Sequence, residues 1–378
     1  MLKKRSFILS LCSIILFGIF CTLVFTLFEG AFFKRKPMQS LPTETDLSRS
    51  DSQRLPASLS SSSPDFTSKR CQNMYMWVCD RKDETPDPTG TVRADLVGER
   101  QALQIYKQII KDHKNWNLDQ IDQELINQIY TPKRRIRVES AYRWAKRAVE
   151  TFFDKQSVFT LQQKAQIKTL IHNVELQLPP PASTYADEPD LFTKDEAYYE
   201  RTHDGKVRLR VGGAYLLIAK SWFNLLFTLA HEIAHSIDPC ELKHYGLNFP
   251  AYDRLKSCFI RNGLIGHLKI RSECGPHDQL SETFADWIAV QVTSEYLKVF
   301  ATEFQGEQVL NAARNSVRDL CHQDDETMEI DLEFHPSPEV RIEKIFGHHP
   351  DIRYQLGCEP IDNSQSNYCT FEPEVRYD

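Results

Sequence analysis

"FTLAHEIAHSIDP", residues 227–239, sets two histidines four apart around a glutamate, and how it is read decides both fold and chemistry. Positions four apart share one face of a helix, so His231 and His235 can offer both imidazoles to one ion while Glu232 projects about 100° round from the first. That offset suits a base rather than a ligand. The helix runs from about Ser221, a suitable N-cap, through "WFNLLFTLAHEIAHSID", with Pro239 just past its end. The apolar approach "LLFTLA" places the motif in a buried helix, where an unpaired His, Glu and His would be costly. A metal ion removes that cost, and the reading as core histidines does not.

The third ligand must come from another element. A second long helix is read in "DQLSETFADWIAVQVTSEYLKVF", residues 278–300, which carries Glu282 with Asp286 one turn later on the same face. By themselves these two would be a solvated acidic stripe. Beside H-E-x-x-H, Glu282 completes the site, Asp286 can accept the second imidazole N–H of His231, and Asp238 can do the same for His235. Zinc on three protein ligands keeps an open position, lowers its bound water towards pKa about 7 and polarises a carbonyl, while Glu232 takes the proton. "FHPSPEVRIEKI", residues 334–345, adds His335 and Arg341, six apart in a proline-containing loop, as donors for a developing oxyanion.

The rest of the chain supplies the setting. With 378 residues and 41% hydrophobic content it can bury one large core or two modest ones. Residues 6–28, "SFILSLCSIILFGIFCTLVFTLF", carry no charge and are long enough to cross a bilayer as a helix. A cleaved signal peptide would show a shorter apolar region ending in small residues, so an uncleaved single-pass membrane anchor is expected, with residues 1–5 as a cytoplasmic tail. Flanking charge leaves the orientation tied, with Lys3, Lys4 and Arg5 against Lys34, Arg35 and Lys36. Cysteines break the tie. Eight of them, Cys71, Cys79, Cys240, Cys258, Cys274, Cys321, Cys358 and Cys369, lie beyond the span without a C-x-x-C pair, which favours disulfides in a non-cytosolic space over reduced, buried thiols. That space is periplasmic or extracellular/luminal, and the lack of an N-x-S/T sequon leans towards the periplasm. The net charge of −6 argues against nucleic acid, and "TPKRRIRVE" reads as a solvated helix start.

Residues 29–70 are rich in Ser and Pro and form a flexible tether to a body spanning 71–378. "GERQALQIYKQIIKDH" and "ESAYRWAKRAVETFFDK" have helical periodicity, and helical text continues into "LIHNVELQLPPP" until the prolines stop it. "DEAYYERTHDGKVRLRVGGAYLL" alternates around Asp204-Gly205 as a hairpin. His348 and His349 are read as surface residues, and the acidic run "HQDDETMEIDLE" as a solvated face rather than a calcium loop. The class is α+β, mostly α-helical.

These residues resemble the neprilysin and endothelin-converting enzyme family of membrane-anchored zinc endopeptidases. H-E-I-A-H-S-I-D is similar to that family's H-E-I-T-H-G-F-D, "SETFAD" to its G-E-N-I-A-D, and "HPSPEVR" to its H-x-P-x-x-x-R, while "CQNMYMWVC" matches its paired cysteines. The resemblance implies a thermolysin-like zinc peptidase core with one Zn2+ on His231, His235 and Glu282. It implies Glu232 as base, Asp286 behind a ligand, His335 at the transition state and Arg341 on the substrate carbonyl. It implies disulfides Cys71–Cys358, Cys79–Cys321 and Cys258–Cys369, with Cys240–Cys274 as an extra pair. "EAYY" corresponds to the substrate-clamping N-A-Y-Y strand, which puts Ala197 and Tyr198 at a peptide or protein substrate and Glu196 in place of the asparagine. An ionised carboxylate cannot donate to a peptide carbonyl. The chain is also about half the family's length, lacking the lobe that covers the cleft. An expected activity of peptide-bond hydrolysis therefore stands against the alternative of an inactive zinc-fold binding protein.

Overall fold

The computed structural model describes residues 69–80, 97–179, 191–203, 205–218, 221–265, 274, 279–321, 335–361 and 368–372, all within the unit spanning Ser63–Asp378. The expected anchor at 6–28, nearly all of the tether and the acidic run at 322–333 lie outside the described residues. Among the described residues no helix is long and apolar enough to cross a membrane.

The fold is mostly helical with one small sheet. In chain order the elements are α1 (Met74–Cys79), α2 (Val97–Asp112), α3 (Leu118–Ile129), α4 (Pro132–Lys155), α5 (Leu161–Asn173), β1 (Glu175–Gln177), β2 (Ala197–Arg201), β3 (Val207–Val211) and α6 (Gly213–Leu217). There follow α7 (Trp222–Ala234), α8 (Pro239–His244), α9 (Pro250–Arg261), α10 (Leu280–Glu303), α11 (Glu307–Val317) and α12 (Pro350–Gln355).

Local chemistry starts these helices where it should. Thr131 caps α4 through the Arg134 N–H with Pro132 in the first turn, so the basic run is a helix start as expected. Asn117 with Gln120 and Thr160 with Gln163 form reciprocal capping boxes on α3 and α5. In α4 the buried stripe Val138, Ala141, Ala145, Val149 and Phe153 follows helical spacing, and the helix packs mainly on α7. Full burial of such a side chain contributes roughly 1.5–3 kcal/mol for the larger members. Helix α7 packs mainly against α10, α4 and α11. All of its residues but Thr228 are buried, so it is apolar nearly all round because it has neighbours nearly all round.

The sheet has the order β1-β3-β2, with β1 parallel and β2 antiparallel to β3, which leaves β2 as an edge. The hairpin pairs Ala197 with Val211 and Tyr199 with Leu209, and Gly205 has φ +79° at the turn. The structure corrects three expectations. Helix α5 ends at Asn173, and the next residues form β1, because pairing with β3 outweighs the local helical pattern. The second strand of the hairpin stops at Val211, and residues 213–217 turn into α6. A Cβ on Gly212 would lie 2.1 Å from the Lys194 carbonyl oxygen and one on Gly213 2.4 Å from that of Phe192, so the backbone passes here only without side chains. Pro239 does not merely follow a helix but opens α8, with Asp238 as its N-cap.

Four disulfides close the body in the pairing the resemblance implied: Cys71–Cys358, Cys79–Cys321, Cys240–Cys274 and Cys258–Cys369. The first two pin α1 to the C-terminal part of the chain, helped by Arg70 Nε donating to the Leu356 carbonyl at 2.8 Å. An aromatic cluster of Phe152, Phe153, Phe159, Tyr252, Trp287 and Phe371 fills the space behind α10.

Candidate metal centre

Ser221 accepts the Asn224 N–H and starts α7, which carries His231 and Glu232 in its last turn. The chain then tightens into a 3-10 turn at His235–Ile237. Both histidines still face one another, with ring centroids 4.9 Å apart. Helix α10 crosses α7 and brings Glu282 opposite the pair.

The ligand atoms converge. His231 Nε2 lies 3.3 Å from His235 Nε2 and 3.1 Å from Glu282 Oε2, and His235 Nε2 lies 3.5 Å from Glu282 Oε1. All three residues can place a ligand atom within 4.8 Å of the others. Two ligands about 2.0–2.1 Å from a tetrahedral zinc sit about 3.3 Å apart, so these edges are of the right size.

The donor chemistry points the same way. His231 Nδ1 is 3.0 Å from Asp286 Oδ1. An ionised carboxylate only accepts, so Nδ1 carries a proton, and Nε2 is the ring nitrogen left facing the other ligands, where a metal ion would take the place of a proton. His235 Nδ1 is 3.1 Å from Ser281 Oγ and 3.4 Å from Asp238 Oδ2, which gives the same tautomer. Two Nε2 atoms and a carboxylate facing each other gather positive charge between them, as protons or as a metal ion. Burial pulls both imidazoles down, yet the surrounding carboxylates outweigh it and push them up to about 9. Asp286 and Glu282 act chiefly on His231, and Glu282 and Asp238 on His235. The field that draws protons here would equally draw a cation, so the residues present fit a zinc ion.

Behind His231, Asp286 is 1% exposed and accepts from Arg341 Nε at 2.7 Å and Nη2 at 2.8 Å. Burial would raise its pKa, but Arg341 and His231 bring it down to about 2. Arg341, expected at the substrate carbonyl in a loop, instead sits in a π-helical segment, Val340–Phe346, with its guanidinium on this carboxylate. His335 Nε2 lies 3.1 Å from Glu282 Oε2, on the wall of the cleft. Burial would also raise Glu282, yet His235, His231 and His335 hold it well below the usual carboxylate range.

The cleft in front of these groups, about 570 Å³, is lined by Glu196, Ala197, Tyr198 and Tyr199 of the edge strand side, by Glu232, Glu241 and His244, and by the Cys240–Cys274 pair. Burial raises the pKa of Glu232, against His231 and His235, which lower it. Its Oε2 accepts the Tyr199 backbone N–H at 2.8 Å. Sequence reasoning misses Tyr199 as a site residue, and with it Glu241, which accepts from the Tyr199 hydroxyl at 2.8 Å and pairs with Arg201. It also misses Ser281, although this serine stands where the resembling motif has glycine. His349, expected at the surface, is 2% exposed and bonds Gln291 Oε1 at 3.1 Å through Nε2.

No family model and no curated protein matches the chain. Among solved structures it is similar to the crystal structure of Mycobacterium tuberculosis zinc metalloprotease Zmp1 in complex with inhibitor, at 10% identity and a TM-score of 0.49 over 68% of this chain and 50% of that one. The chain thus spans about half the length of that protein.

Proposed function

We propose that the chain is a zinc-dependent endopeptidase of the neprilysin-like kind, held at a membrane by residues 6–28 with its body on the non-cytosolic side. The observation that supports it most is the presence of Glu232 in the same cleft as the converging His231, His235 and Glu282. These three residues would hold one zinc, which supplies a water acidified towards pKa about 7 and a polarised substrate carbonyl.

The chain's own residues do the remainder. A peptide enters along β2, the edge of the sheet, beside Ala197 and Tyr198. Glu232 takes a proton from the attacking water and delivers it to the leaving amine nitrogen. Its raised pKa suits both halves of that transfer, and the Tyr199 N–H fixes one carboxylate oxygen so that the other faces the reaction. His335, in the lining of the same cleft, donates to the carbonyl oxygen as charge develops there. Arg341 keeps Asp286 ionised, and Asp286 keeps the His231 tautomer that binds metal.

The alternative, a zinc-bearing binding protein without activity, has Glu196 on its side but gives Glu232 nothing to do. Glu232→Gln separates the two. It should keep one zinc per chain and abolish cleavage of a broad peptide library that the parent digests. Undiminished cleavage would refute the mechanism, and a parent that holds zinc yet cleaves nothing would favour the binding protein.

A further inference from the structure

His231 and His235 are supported differently. His231 donates directly to a carboxylate at 3.0 Å. The carboxylate nearest His235 Nδ1, that of Asp238, is 3.4 Å away, and Ser281 Oγ is closer at 3.1 Å. The hydroxyl also donates to Asp238 Oδ2. Asp238 is itself held in place. As the N-cap of α8 its Oδ1 accepts the backbone N–H groups of Cys240 at 2.7 Å and Glu241 at 2.8 Å, and it is 4% exposed.

We propose that Ser281 is the positioning residue of the second histidine ligand: its hydroxyl, inserted between the His235 imidazole and the Asp238 carboxylate, fixes the ring's tautomer and orientation for metal binding. Three features carry the inference, which rests on the zinc reading above. The carboxylate accepts only, so the serine proton must point at Asp238, and the Oγ lone pairs then face His235 and demand a proton on Nδ1. Nε2 is thereby the nitrogen assigned to the metal, facing His231 and Glu282. Ser281 also immediately precedes Glu282, so the first turn of α10 carries both the third ligand and the support of the second, fixing the two relative to each other. A glycine at 281 would leave His235 with only the 3.4 Å contact.

The test uses the full-length chain with Ser281→Ala, Ser281→Gly and Ser281→Thr, the last keeping the hydroxyl. Zinc affinity is measured by competition with a chromophoric chelator, and thermal melting is recorded on the same zinc-free samples. Loss of a partner behind a metal-bound histidine weakens binding by about 10- to 100-fold. That loss is expected for the Ala and Gly variants, with Thr within about 3-fold of the parent by the same measure and zinc-free melting alike in all four. Affinity unchanged in both Ala and Gly overturns the proposal. So does an equal loss in Thr, or a drop in zinc-free melting that accounts for the whole effect, since either would make the contact merely structural. A parent that binds no zinc overturns the metal reading itself, and this is seen before any variant is compared.

Discussion

The buried pair behind His231 offers the sharpest quantitative test. Asp286 accepts three hydrogen bonds, two from Arg341 at 2.7 and 2.8 Å and one from His231 at 3.0 Å. In Asp286→Asn a single oxygen remains, and the new NH2 is set against other donors. Arg341, 8% exposed, then keeps its charge but loses the carboxylate it grips with two hydrogen bonds. Breaking one half of such a pair costs about 3–5 kcal/mol. Arg341→Met should cost a similar amount, because it takes away two of the three hydrogen bonds to the buried carboxylate. Combined, the two changes should cost less than their sum by about 2 kcal/mol or more, within the range found for contacting residues. The assay is urea unfolding of the zinc-free chain with disulfides intact, followed by tryptophan fluorescence, to which the adjacent buried Trp287 reports. Zinc affinity separates the two partners. Asp286→Asn removes the group that touches the ligand and should weaken binding by about 10- to 100-fold, whereas Arg341→Met leaves that contact and should weaken it less. Additivity within about 0.5 kcal/mol, or equal affinity losses in the two variants, would refute the chain of support from Arg341 through Asp286 to His231.

His349 supplies a pH dependence away from the metal. Burial lowers its pKa to about 4, below the ordinary value of about 6.5, so the folded state binds fewer protons than the unfolded one. Its contribution is complete above about pH 6.5 and is lost as pH falls towards 4, in total about 3 kcal/mol. Protonation would set a second N–H against the Asp351 N–H that Nδ1 now accepts at 3.2 Å. Unfolding free energies of the parent and His349→Gln, measured from about pH 7 to 4, should converge by about that amount, and parallel curves would contradict the assignment. The Cys240–Cys274 bridge spans 34 residues, so replacing both by serine should lower stability by roughly 3–4 kcal/mol on the chain-entropy argument. An unchanged melting temperature under oxidising conditions would show that the bridge constrains little.

The parts of the site that can be read from sequence are those carried by short-range rules. Ser221, the four-residue spacing of His231 and His235, and the one-turn spacing of Glu282 and Asp286 each follow from helix geometry alone, and the structure keeps all of them. What escapes is set by contacts between distant segments. β1 is three residues long and exists because β3 lies beside it. Its register sets Glu175 beside Arg208, residues far apart in the chain, and no local pattern announces that pairing. The Tyr199 N–H meets Glu232 because an edge strand crosses the end of α7, and a backbone donor leaves no trace in residue identity. His349 is buried because the α12 start folds against α10, where Gln291 receives it. Ser281 does leave a trace, a serine in the place of a glycine, but its meaning needs the position of Asp238.

The disulfides and the ligand supports belong to one arrangement. The two groups that hold the rear of the imidazoles, Arg341 through Asp286 and Asp238 through Ser281, lie on segments outside α7 and α10. Each segment is tied down covalently nearby. Cys358 follows the Arg341 segment and joins Cys71, and Cys240 lies two residues past Asp238 and joins Cys274. A metal ion bound by a loose set of ligands must order them at the expense of its affinity, whereas ligands already fixed keep that free energy for binding. The oxidised body therefore favours a preformed site, with the imidazole lone pairs and Glu282 already within 3.1–3.5 Å of one another. Cys240 continues the α8 cap whose carboxylate accepts from Ser281, so the Cys240–Cys274 bridge steadies the support of His235.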